Sequence, residues 1–97
     1  MNLATARGIE ESDIFIALVT KTFMAEEGRH EEVVYAKALG KPFALAIEKG
    51  VDPSNWFDGC NVIGRITFDR DKLDDKQIGD WIKGLRDSLL KGRLNSS

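Results

Sequence analysis

The chain has 97 residues, of which 42% are hydrophobic and 31% charged, and its formal net charge is −2. A chain of this size and composition folds around one core, so we predict a single domain over residues 1–92. The scattered basic residues give no electrostatic reason to expect a nucleic-acid partner. The apolar runs fall far short of the ~20 residues that span a bilayer, and we expect no membrane association.

Two single residues bear on location and metal binding. Cys60 is the only cysteine, which excludes an internal disulfide and fits a cytoplasmic protein with no signal peptide. We expect its thiol to fill space beside the core rather than to react. His30 is the only histidine. Because no spaced set of ligands accompanies it, we expect a solvated side chain and no metal site.

The first part of the chain predicts a helix, a strand and a second helix. Residues 3–12 have a weak helical spacing of apolar side chains. Residues 14–20 are apolar without alternation, which is typical of a central strand covered on both faces. The polar residues 21–29 predict a loop or a partly helical insert. A helix follows over residues 30–39, and Gly40 is its expected C-terminal cap.

Two further strands are predicted after this helix. Residues 43–47 are again entirely apolar and indicate a covered strand. Residues 51–61 carry two turn signals and predict a loop, whose Trp56 and Phe57 we expect to fold back onto the core. The partial alternation of residues 62–68 predicts a strand nearer the edge of the sheet. Four of its side chains are expected on one face: Val62, Gly64, Ile66 and Phe68.

The last element is predicted to be an amphipathic helix. Asp74 and Gln77 have the spacing of a capping box at its start, and Gly92 can terminate it. Residues 93–97 form a polar tail. One stripe of this helix is apolar and consists of Ile78, Trp81, Ile82, Leu85 and Leu89.

The order of these elements predicts the fold class. Alternation of covered strands with helices indicates an α/β domain, a three-layer sandwich with a short parallel sheet of about three strands. Three strands make a thin sheet, which alone buries little surface. From size we therefore expect the chain to cover part of itself against a second copy as a homodimer.

Chemistry is expected where the strands of a parallel sheet end, because ligands bind beyond their carboxyl ends. Acidic residues crowd the start of the second helix, and the helix dipole explains most of them. Glu32 differs, since it lies four residues before Ala36 and beside the apolar stripe that faces the sheet. This position makes Glu32 the candidate catalytic carboxylate. The alternative is a carboxylate that only flanks a buried stripe.

Two segments carry a resemblance to a known family. Residues 10–20 contain a polar Ser12-Asp13 pair, an apolar strand and Thr20. Residues 30–42 contain Glu32 and end on Gly-Lys-Pro before the next strand. Together they resemble the active-site half of a Toll/interleukin-1 receptor (TIR) domain. The resemblance implies a TIR-like or flavodoxin-like fold and binding to itself or to another TIR-like protein.

The resemblance also implies a possible reaction. In enzymatic TIR domains the glutamate at the position of Glu32 acts on the ribose while the nicotinamide N-glycosidic bond of NAD is cleaved. The same stretch is similar to nucleoside 2-deoxyribosyltransferases, in which the glutamate is the nucleophile. A carboxylate below the sugar can stabilise or capture an oxocarbenium-like transition state in both. NAD would be a substrate, with no resident cofactor, and the resemblance places Thr20, Lys21, Phe23 and Tyr35 near the pocket.

The chain also departs from this family. Only 12 residues precede Asp13, where a full TIR domain has a strand, a helix and a second strand. Residues 25–29 are unusually acidic, which disfavours a bound pyrophosphate. We therefore expect a truncated, self-associating TIR-like interaction module without a complete catalytic pocket. The alternative is an N-glycosidase of NAD or a nucleoside that depends on Glu32.

Overall fold

The computed structural model describes residues 2–72 and 74–95, with side chains to residue 91. The described residues form a mixed helix and strand structure with a parallel three-stranded sheet, which confirms the predicted α/β fold. Its elements in chain order are α1 (Leu3–Glu11), β1 (Phe15–Val19), α2 (Lys21–Ala25), α3 (Glu27–Ala38), β2 (Pro42–Glu48), β3 (Asn61–Phe68), a 3-10 turn (Arg70–Lys72) and α4 (Asp75–Asn95).

The central strand of the sheet is β2, not β1. Within the described residues the strand order is β1-β2-β3, and β1 pairs only with β2, through Phe15–Val19 against Phe43–Ile47. The prediction that β1 is central and covered on both faces is therefore wrong. Ile16 is 41% exposed and Leu18 is 43% exposed. An apolar run shows that a strand avoids water, but it does not show which strand has neighbours on both sides.

The main core lies between one face of the sheet and the first three helices. α3 buries Val33 and Ala36 completely, as its apolar spacing predicts. Phe23 and Met24 of α2 pack against the same core. The buried residues of this core are Ile9, Ala17, Val19, Val33, Ala36, Phe43, Leu45 and Ile47.

The opposite face of the sheet is covered by α4. Ala44 and Ala46 alternate with the core residues of β2 and so point to this face, where both are fully buried. Gly64 of β3 lies so close to Leu85 of α4 that an added Cβ would come within 2.7 Å of the leucine Cδ1 atom. Helices therefore pack on both faces, which confirms the three-layer arrangement.

A bulge in β3 changes the predicted distribution of side chains. Val62 pairs with Phe43, whereas Gly64 pairs with the next residue, Ala44, so Ile63 is an extra residue in the ladder. Paired residues share a face and neighbours alternate, so Val62 and Gly64 lie on opposite faces. The predicted common face is wrong for Val62. The bulge results from pairing between strands and has no signal within β3 alone.

Two of the predicted helix ends are confirmed. Gly40 adopts a φ of +71°, and the N–H of Lys41 donates to the carbonyl of Ala36 at 3.1 Å, as in a Schellman cap. At the start of α4 the Asp74 carboxylate accepts a hydrogen bond from the N–H of Lys76 at 2.9 Å.

The extents of α3 and α4 differ from the prediction. Residues 21–29 contain α2 and the first turn of α3, so of the two predicted alternatives the partly helical insert is confirmed. Thr20 caps α2, because its hydroxyl oxygen accepts from the N–H of Phe23 at 3.1 Å. α4 passes the expected stop at Gly92 and continues to Asn95, while residues 96 and 97 of the predicted tail lie outside the described residues. Among the helices described, none has the length and hydropathy of a membrane span.

The contact between Gly64 and Leu85 predicts the effect of a substitution. We expect Gly64→Val to lower the free energy of unfolding by about 1–3 kcal/mol, because the added methyl groups overpack the contact with α4. Urea unfolding followed by tryptophan fluorescence measures the change. In the control Gly79→Ala the new methyl group meets no atom within 4 Å, and we expect stabilisation of about 0.5–1 kcal/mol. A Gly64→Val variant as stable as the wild type would contradict this packing of α4.

Candidate functional site

A hollow of about 290 Å³ lies beside the end of β1, and we call it the β1 hollow. Its walls are Ile16, Leu18, Thr20, Thr22, Phe23, Glu26 and Arg29. Ile16 and Leu18 pair with Ala44 and Ala46 and so belong to the α4 face of the sheet, whereas Phe23 packs against the core on the other face. The hollow therefore extends around the edge of β1.

A second hollow continues along the same strand. It has a volume of about 410 Å³, lies near the beginning of β1, and shares Ile16 with the β1 hollow. Its walls come from α1, the segment between α1 and β1, β1 itself and α4: Gly8, Glu11, Ser12, Asp13, Ile14, Ile16, Ile82 and Arg86. The two hollows together form a groove along the open edge of β1.

The candidate carboxylate Glu32 is already paired. Its side chain is 19% exposed, and its Oε2 atom accepts a hydrogen bond from Nη1 of Arg29 at 3.2 Å. Nε of Arg29 donates to Oε2 of Glu26 at 3.2 Å as well. These carboxylates raise the pKa of Arg29, and Glu32 contributes most. Arg29 lines the β1 hollow, whereas Glu32 does not.

The other four predicted site residues fall into two groups. Thr20 and Phe23 line the β1 hollow. Lys21 is exposed and does not line it. Tyr35 points elsewhere, because its hydroxyl donates to Oε1 of Glu10 and so ties α3 to α1. The structure thus brings Thr20 and Phe23 together and leaves Lys21 and Tyr35 apart from them.

The aromatic residue of the hollow belongs to a larger cluster. The ring of Phe23 lies 5.8 Å from Trp56 and 6.5 Å from Phe57 between centroids. The loop after β2 therefore folds back onto the core, as predicted. His30 is exposed and stacks on Trp56 at 4.6 Å. In the described part of the chain, no three His, Cys, Asp or Glu side chains gather into a possible metal site.

The thiol of Cys60 lies half-buried beside this core. Burial raises its pKa and the Asp58 carboxylate adds to this, while Lys37 acts in the opposite direction. A thiol with a raised pKa carries less thiolate and is a poorer nucleophile. This environment agrees with the expected space-filling role.

Sequence reasoning missed the contacts of several cations, among them Arg29 and Lys41. Arg29 bridges two glutamates at spacings of three residues, and this i, i+3 pattern of charges was the available signal. Nζ of Lys41 donates to the carbonyls of Glu10 at 2.7 Å and Ser12 at 2.9 Å, which holds the end of α1 against the start of β2. The hydrogen bonds of Lys41 link residues about 30 positions apart, so no local pattern in the sequence predicts them.

No protein-family model matches the sequence, and no match is found among curated proteins or solved structures. The TIR resemblance therefore stays a prediction, and the geometry of the chain itself has to support any function.

The contact between Tyr35 and Glu10 can be tested directly, since Tyr35 is the only tyrosine. The hydrogen bond to Glu10 raises the pKa of Tyr35 above its ordinary value of about 10. We expect the phenolate absorbance to appear at a correspondingly high pH and at a lower pH in Glu10→Gln. This contact stabilises the fold fully at a pH below the pKa of tyrosine in the unfolded chain. Its contribution is lost as the pH rises through the higher pKa that Tyr35 has in the folded chain.

The matched control for this titration is Glu11→Gln, which removes the neighbouring exposed carboxylate instead. Its titration midpoint should equal that of the wild type. Equal midpoints for Glu10→Gln and Glu11→Gln would contradict the assignment.

Proposed function

We propose that this chain is a TIR-like interaction module that binds a second copy of itself through the open edge of β1. The observation that carries the proposal is the position of β1. In the described part of the chain it has a partner strand on one side only, and Ile16 and Leu18 lie about two-fifths exposed on its α4 face.

The two edges of the sheet differ in how they are protected. Natural proteins guard edge strands with charges, prolines or bulges, because an unguarded edge pairs with other chains. β3 carries a bulge at Ile63 and the exposed Arg65. Phe15–Val19 contains no charge, proline or bulge. β1 is therefore the edge suited to association.

The composition of β1 supports the same conclusion. Its five residues are all apolar, as in a strand covered on both faces, yet Ile16 and Leu18 remain partly exposed. A strand and helix of a second copy would cover these side chains. Association would thereby remove apolar surface from water, at roughly 25 cal/mol per Å² before the costs of binding.

The enzymatic alternative has less support. A glycosidic carboxylate has to reach the anomeric carbon, and Glu32 is held instead by Arg29 at 3.2 Å. Tyr35 and Lys21 do not line the β1 hollow. We assign the pair of Glu32 and Arg29 a structural role at the start of α3.

The edge interaction is tested by placing a charge on β1. We expect the wild-type chain to be a dimer by light scattering after size exclusion, and Leu18→Lys to be a monomer at the same concentration, because the charge would be buried at the seam. The matched control is Val34→Lys on α3, where the side chain is 53% exposed and outside the proposed interface. A wild-type chain that stays monomeric up to its solubility limit would refute the proposal.

The enzymatic alternative is tested by following base release from NAD and from purine and pyrimidine nucleosides by chromatography. We expect no release by the wild type above that of Glu32→Gln, because Glu32 pairs with Arg29 and does not line the β1 hollow. The control Glu31→Gln changes the adjacent exposed glutamate. Release that disappears in Glu32→Gln and persists in Glu31→Gln would replace our proposal with an N-glycosidase.

A further inference from the structure

We propose that α1 is a latch, a helix that opens as one unit while the rest of the chain stays folded, and that the ammonium group of Lys41 holds it closed. The inference goes beyond the proposed self-association, because every contact that it uses lies within one chain. Single elements of a fold open in this way when their anchoring is weaker than that of the core.

The apolar anchoring of α1 is small. Within this helix only Ile9 is buried, whereas Leu3 is 71% exposed. α1 packs chiefly against α3. β2, in contrast, buries five consecutive residues, Phe43 to Ile47. Because burial of apolar surface is the main source of stability, opening α1 costs much less free energy than unfolding the sheet.

The sequence of α1 also makes a poor helix by itself. A helix of nine residues is too short to be stable alone in water. Gly8 lies in its interior, where the freedom of a glycine backbone disfavours the helix. Glu10 and Glu11 end the helix, and its last turn contains no basic residue. Acidic side chains at this end oppose the helix dipole, so α1 depends on contacts with the rest of the chain.

Lys41 supplies the positive group that the last turn of α1 lacks. Its Nζ atom donates to the carbonyl of Glu10 at 2.7 Å and to the carbonyl of Ser12 at 2.9 Å. The carbonyls at the end of a helix have no partner within the helix, and a lysine side chain can satisfy them. The hydroxyl of Tyr35 donates to the Glu10 carboxylate beside them. The end of α1 is therefore held by groups that come from α3 and from the start of β2.

Opening of α1 changes the groove along β1. Gly8 and Glu11 form part of the wall of the 410 Å³ hollow at the beginning of β1. When α1 opens, this wall is lost and the side chain of Ile9 leaves the core. β1 itself stays in place, because its ladder runs to β2. The latch therefore alters the groove beside the open edge while the sheet remains intact.

The test is hydrogen exchange of individual backbone amides in the full chain, followed by NMR. In the wild type we expect the amides of α1 to exchange faster than those of β2, because α1 opens more often than the sheet unfolds. Lys41→Met keeps the aliphatic side chain but removes both hydrogen bonds to the end of α1. We expect this variant to speed the exchange of the α1 amides on the order of tenfold.

The matched control is Lys37→Met, which removes a hydrogen bond of the same kind, from Nζ of Lys37 to the carbonyl of Asp58 at 2.6 Å. That bond joins α3 to the loop after β2 and persists when α1 opens. Its loss therefore lowers the free energy of global unfolding and leaves that of α1 opening unchanged. We expect faster exchange of the β2 amides and unchanged exchange of the α1 amides. Gly64→Val, which perturbs the contact with α4, should give the same pattern.

A stabilising variant tests the latch in the opposite direction. Gly8→Ala adds a methyl group that meets no atom within 4 Å, and alanine favours the helix. We expect the α1 amides of this variant to exchange roughly two- to fivefold more slowly than those of the wild type. Gly8→Ala keeps the contacts of Lys41, so it reports on the latch even if Lys41→Met fails to fold.

Two results would overturn the latch. One is wild-type α1 amides that exchange as slowly as those of β2. The other is an equal acceleration of the α1 and β2 amides in Lys37→Met or Gly64→Val, since α1 would then unfold only with the whole chain. Unchanged α1 exchange in Lys41→Met would overturn the role of Lys41. None of these results bears on the self-association of the chain, which light scattering tests separately.

Discussion

β2 is paired along both edges and covered on both faces, and its burial fixes the positions of the other elements. Phe43 to Ile47 are nearly inaccessible to water, with β1 on one side and β3 on the other. Their odd-numbered side chains form the core with α1, α2 and α3, while Ala44 and Ala46 allow α4 to pack closely on the opposite face. The small size of the alanines and of Gly64 sets how near that helix approaches.

Because β2 occupies the centre of the sheet, β1 lies at its edge and keeps part of its apolar surface exposed. Its apolar composition suits a strand buried on both faces, but Ile16 and Leu18 on its α4 face stay about two-fifths exposed. The described chain protects the edge at β3 and not the edge at β1, and an unprotected edge is a pairing surface. The proposed self-association would use backbone hydrogen bonds of the kind that build the sheet.

The ion pairs at the start of α3 argue against a catalytic role for Glu32. Arg29 bridges Glu26 and Glu32, so its single positive charge offsets part of the acidic cluster within one helical segment. The same arginine forms part of the wall of the groove beside β1. A carboxylate at the expected position in the sequence thus acts as a partner for a cation rather than as a free group in a pocket.

Patterns of side chains a few residues apart are enough to predict the fold class, the order of the strands and the longer helices, the Gly40 cap and the burial of Val33 and Ala36. The tertiary structure is needed to place β1 at the edge, to form the bulge at Ile63 and to bring Lys41 and Tyr35 onto α1. Those outcomes depend on which strands pair and on contacts between distant residues. The apolar composition of a strand indicates that the strand is buried, but which strands pair with it depends on the packing of the whole chain.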